Sequence, residues 1–149
     1  PAPRRRSREA SSEPNVFEFL PHTADIRMRV AAPDLPDLFR DALRGLMSVL
    51  GPRPERDRPV RRLIAVHSAD LTALLVDFLN EALSLALTNL EAYDELVVVD
   101  LDLEATVLHA ELAGHHASGF DDDVKAVTYH EADLARDDEG WHSLVVFDI

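Results

Sequence analysis

The chain has 149 residues, 46% of them hydrophobic and 29% charged, which describes one folded domain with a sizeable core and excludes a disordered or collagen-like chain. Fifteen Lys and Arg stand against 28 Asp and Glu, a net charge of −13 that repels phosphate backbones and argues against an autonomous DNA or RNA binder. Cysteine is absent, which removes disulfides, thiolate nucleophiles and Cys-type zinc sites and permits a reducing compartment.

Residues 1–13 (PAPRRRSREASSE) contain no large apolar side chain and are expected to form a flexible, Arg-rich tail. Four Arg and two Glu make this tail +2, so residues 14–149, expected to form the single domain, carry −15. No apolar stretch follows the arginines as in a secretory signal, and runs without Asp, Glu, Lys or Arg, such as Ala82 to Leu90, reach only nine residues. No membrane span and a cytoplasmic location are therefore expected.

In chain order, two short strands are expected around His22-Thr23, the second showing Ile26, Met28 and Val30 alternating with Asp25, Arg27 and Arg29. Leu35, Leu38, Phe39, Ala42, Leu43, Leu46, Met47 and Leu50 then recur at helical spacing, between Asp34 as N-cap and Gly51-Pro52 as stop. Gly51 to Pro59, with three prolines, reads as a loop before a strand from Val60 to His67. A second helix, capped by Asp70, carries an apolar stripe from Leu71 to Leu90 that includes Leu75, Phe78, Leu79 and Leu83. Further strands are expected at Leu96 to Leu103, Thr106 to Leu112, Val124 to Leu134 and Trp141 to Ile149, with a polar loop from Gly114 to Asp123. Two amphipathic helices and about seven strands, the last four consecutive, predict a two-layer α+β fold with helices packed on mostly antiparallel sheet.

The five glycines form no G-x-G-x-x-G and no Walker-type loop, so no standard nucleotide cradle is present. The segment Gly114-His-His-Ala-Ser-Gly119 lacks the spacing of a nucleophile elbow. His115, His116 and Asp121-Asp122-Asp123 fit neither a zinc pattern nor an EF-hand loop and read as a solvated acidic loop. Asp25, at the start of a strand, and Asp148 and the carboxylate of Ile149, at the end of another, are hard oxygen donors. Brought together they would form a pocket whose repulsion Ca²⁺, Mg²⁺ or Mn²⁺ relieves; kept apart, Asp25 is a turn residue and Asp148 a terminal one.

Four ordered segments resemble the archease family: Phe19-Leu-Pro-His-Thr-Ala-Asp-Ile26, Ala69-Asp-Leu-Thr-Ala-Leu-Leu-Val-Asp-Phe-Leu-Asn-Glu81, Val124-Lys-Ala-Val-Thr-Tyr-His130 and Phe147-Asp-Ile149. The resemblance implies a small, cytoplasmic, non-catalytic α+β protein cofactor that activates an RtcB-type RNA ligase in tRNA splicing and RNA repair. Such a cofactor promotes guanylylation and multiple turnover of the ligase. The resemblance further implies a divalent cation, Ca²⁺, Mg²⁺ or Mn²⁺, held by Asp25, Asp148 and Ile149, and a role in ligase activation for Lys125. tRNA would be met only through the ligase, with no contact to DNA or membrane. A chaperone-like modulator of RNA-processing proteins and an autonomous metal-dependent phosphohydrolase are the alternative readings.

Overall fold

The computed structural model describes residues 17–20 and 25–149. The tail at 1–13 and the His22-Thr23 turn lie outside the described residues. The elements run β1 (Phe17–Leu20), β2 (Ile26–Ala32), α1 (Leu35–Leu50), β3 (Pro52–His67), α2 (Leu71–Asn89), β4 (Glu91–Asp102), β5 (Val107–Phe120), β6 (Ala126–Thr128), β7 (Ala135–Asp137) and β8 (Gly140–Asp148).

Both helices begin where their caps dictate. Asp34 and Asp70 are extended, and their carboxylates accept from the backbone N–H of Asp37 at 2.9 Å and of Ala73 at 2.8 Å. α1 stops at Gly51, whose φ of 63° lies in the left-handed region and whose N–H donates to the Met47 carbonyl at 2.9 Å. α2 stops in the same way without a glycine, at Leu90 with φ 57°.

Every strand pair is antiparallel, in two sheets. One has the order β1-β2-β8-β6, with β7 also on β8; the other is β3-β5-β4. α1 touches β1, β2 and β8 of the first sheet and β4 of the second. Packed against both, it buries Asp41, Gly45 and Val49 beside the expected apolar stripe. α2 buries Leu75, Phe78, Leu79 and Leu83 as expected, but Leu87 and Leu90 at its end are exposed. By length and composition alone α2 could cross a membrane, which the short charge-free runs did not suggest; here its buried face belongs to the core shared with both sheets.

The structure corrects three segments. The stretch from Gly51 to Pro59 is not a loop: apart from Gly51 it forms the start of β3, an edge strand that accommodates prolines, with register shifts between Pro52 and Pro54 and between Glu55 and Pro59. The segment from Gly114 to Phe120 is likewise strand, because β5 is the middle strand of its sheet and pairs there on both sides. Between Val124 and Leu134 only Ala126–Thr128 is strand.

Candidate functional site

β8 is the strand on which the candidate residues converge. β2 pairs with one edge of β8, ending with Ile26 opposite Phe147, so Asp25 and Asp148 are the residues next to the last paired rung. On the other edge Ala126 of β6 lies opposite Asp148, and the Lys125 N–H donates to the Asp148 carbonyl at 2.7 Å. Asp25, Lys125, Asp148 and Ile149 therefore meet at one end of the first sheet. Cross-strand partners share a face, so Asp25, Asp148 and Ala126 continue the face that carries Arg27, Val146 and Thr128, while Ile26, Phe147 and Val127 turn the other way. Phe147 and Val127 are buried, which fixes the register beneath the site.

The polar groups around this end form a chain. Arg27 Nε donates to Asp25 Oδ1 at 3.2 Å, and another guanidinium nitrogen donates to the Glu131 carboxylate. His130 Nε2 lies 3.1 Å from the second Glu131 oxygen. The hydrogen bond to Glu131, opposed by partial burial and aided by Asp25, raises the Arg27 guanidinium still further from deprotonation; the same bond lowers the Glu131 carboxyl. Lys125 is exposed and pairs with no described carboxylate.

β6 has only three residues, and α2 holds it in place. The Asn80 amide donates to the Val127 carbonyl at 2.8 Å and accepts from the Val127 N–H at 2.9 Å, as a neighbouring strand would. Asp77 accepts from Ser68 Oγ at 2.5 Å and from the Tyr129 hydroxyl, and Thr72 Oγ1 accepts from the Leu134 N–H at 3.0 Å. These three polar residues were not singled out from the sequence. A signal was present: Asp77 and Asn80 are polar residues set within the apolar run Leu74 to Leu83.

The donor set suits a hard cation, because carboxylate oxygens are the groups that Ca²⁺, Mg²⁺ and Mn²⁺ prefer. Among the described residues, no three or more His, Asp or Glu side chains gather as a cation cage. A cation here would draw on the two aspartates and the Ile149 carboxylate. The His115, His116 and Asp121 to Asp123 segment is likewise no cage: Asp121 pairs with Arg53 at 2.6 Å. His115 is buried in β5, with Nε2 3.2 Å from Arg56 and 3.5 Å from Asp94, and with its Nδ1 unpartnered.

The model of the Archease protein family (MTH1598/TM1083) matches residues 17–149. The chain belongs to the archease family. The protein archease of Methanosarcina barkeri is 29% identical over 145 residues, covering 93% of this chain and 99% of that one. Its counterpart in Methanosarcina acetivorans is 28% identical over 144 residues, with the same shares. The solution structure of Methanobacterium thermoautotrophicum protein 1598 superposes with a TM-score of 0.68 at 26% identity, over 89% of this chain and 98% of that one. The crystal structure of an archease from Thermotoga maritima, described as a possible chaperone, has a TM-score of 0.63 at 20% identity, over 87% and 94% of the two chains, and supports the fold. The α+β architecture of two helices on antiparallel sheet is thus the archease fold.

Proposed function

We propose that this archease is a non-catalytic protein cofactor of an RtcB-type RNA ligase, promoting its guanylylation and turnover. In this reading Asp25, Asp148 and Ile149 hold a divalent cation, and Lys125 faces the ligase's phosphate chemistry. One observation supports it above the family membership: the pairing of β2 and β6 with β8 brings Asp25 and Lys125, remote in sequence, to the sheet end where Asp148 and Ile149 lie. When bound, the cation would supply positive charge toward phosphate oxygens. The residues of this chain do the rest. The aspartates orient the donors, and the exposed Lys125 offers a mobile cation that cannot itself ligate a metal.

GTP-dependent labelling of the ligase tests the reading. Asp25→Asn and Asp148→Asn should keep the fold yet abolish stimulation, whereas Lys125→Ala should reduce stimulation and spare cation binding. Full stimulation by both aspartate variants would remove the cation site from the mechanism, and a ligase indifferent to the wild-type protein would overturn the activator reading.

A chaperone-like role, the one suggested for the Thermotoga maritima relative, is favoured by one feature. Leu63 and Val97 flank Glu111 in register on the outer face of the second sheet, and both are exposed, Leu63 to 80%. Under that reading Leu63→Glu would remove the effect on partner proteins and the aspartate variants would retain it.

A further inference from the structure

Among the described residues, Arg27 is the cationic side chain that pairs directly with Asp25 of the candidate cation site. Its Nε lies 3.2 Å from Asp25 Oδ1, and the two side chains are only 18% and 20% exposed, so water screens their attraction incompletely. The same guanidinium donates to Glu131, whose backbone sits in the left-handed region at φ 60° and whose carboxylate reaches back to β2. A side chain that is not glycine, asparagine or aspartate is uncommon there, so the turn after β6 is held in this form by its contacts, of which the Arg27 ion pair is one. Glu131 also has His130 on its other oxygen and is 44% exposed, which leaves it room to take more of the guanidinium.

We propose that Arg27 is a built-in counter-cation that competes with a divalent cation for Asp25, and that Glu131 is the second berth that retains the guanidinium when the cation takes Asp25. The inference rests on the reading above that Asp25 and Asp148 bind a cation. Without the ion, Arg27 offsets the repulsion that the two carboxylates would feel. A monovalent ion brings no more charge to Asp25 than Arg27 already supplies, so the arrangement selects a doubly charged ion over Na⁺ or K⁺. It also sets a threshold: the site fills only where the cation is abundant or where a partner adds donors.

Calorimetric titration of the full chain with Mn²⁺ tests this, with folding of each variant checked by circular dichroism. Arg27→Gln removes the charge and should bind Mn²⁺ at least about tenfold more tightly, since like charges a few ångströms apart repel strongly at a partly buried site. Arg27→Lys keeps the charge and should stay closer to wild type than to Arg27→Gln. Glu131→Gln removes the second berth and should weaken binding. In wild type, Mn²⁺ replaced by diamagnetic Ca²⁺ should shift the Arg27 Nε–H resonance in a nitrogen-15 spectrum.

If Asp25→Asn abolishes binding while Arg27→Gln binds no more tightly than wild type, the cation site stands and the competition is overturned, leaving Arg27 as a residue that merely orients Asp25. If Asp25→Asn binds as wild type does, the site itself is wrong and the proposal falls with it. Should wild type bind too weakly to measure, binding that appears in Arg27→Gln and vanishes in the double variant with Asp25→Asn supports the competition; no binding in Arg27→Gln overturns it.

Discussion

Glu91 is 1% exposed and still ionised, because Arg62 grips it with Nε at 2.9 Å and a terminal nitrogen at 2.7 Å while the Tyr93 hydroxyl donates at 2.6 Å. The Arg62 hydrogen bonds hold the Glu91 carboxyl below its usual value against the opposing effect of burial. Burial, then the Glu91 hydrogen bond, pushes the Tyr93 hydroxyl up and keeps it neutral as a donor. A carboxyl depressed in the folded state contributes stability that is complete above its unfolded pKa of about 4.3 and lost as pH falls through the folded value. Glu91→Gln should therefore destabilise by about 1–3 kcal/mol at neutral pH, a loss limited by the hydration Arg62 retains. The gap to wild type should begin to shrink as pH falls below about 4.3 and should close only in stronger acid, below the depressed folded value, where both states bind the proton. Urea denaturation of both proteins at the two pH values measures it; a gap that persists in acid would mean that ionisation is not its source.

At the scale of elements, the apolar pattern located α1, α2, β2 and β8: the helices by their stripe of about 3.6-residue period, β2 by its alternation, and β8 by its apolar run Leu144 to Phe147. It also placed Leu75, Phe78, Leu79 and Leu83 of α2 in the core. The polar residues on α2 have a different task. Asn80 completes the hydrogen bonding of Val127 on a strand too short to hold itself, and that strand presents Lys125 beside Asp148. Asn80→Leu keeps the side-chain size but leaves the Val127 N–H and carbonyl without their partner, which should cost about 1–3 kcal/mol. The loss should be local first: hydrogen exchange at residues 126–128 should accelerate while β2 and the centre of β8 stay protected. Ligase stimulation should fall with it, as for Lys125→Ala. Unchanged exchange at Val127 would show that β8 alone holds the strand.

Across the whole molecule, the sequence pattern failed where tertiary context decides. β3 begins with prolines because it is an edge, and the polar stretch of β5 is strand because neighbours pair with it on both sides. Gly114 marks that closeness, since a Cβ there would lie 1.8 Å from the Ala92 carbonyl oxygen. The candidate aspartates were legible as strand ends and hard donors, but their alignment was not, because register is a property of paired strands. Charge, by contrast, reads directly from the sequence and the structure sharpens its meaning. The arginines on β3 resemble a basic strip, yet Arg53, Arg58 and Arg61 each face a carboxylate, from Asp121, Glu55 and Glu111. A phosphate backbone approaching this edge meets paired charges on a chain of net −13, so counterion release has little to draw on. A fragment of residues 14–149 should therefore show no tight tRNA binding at physiological salt in fluorescence anisotropy. If only the full chain binds, the arginines within residues 1–13 supply the contacts. Tight, steeply salt-dependent binding by the fragment itself would refute the charge argument and would give this protein a direct route to RNA, independent of any ligase.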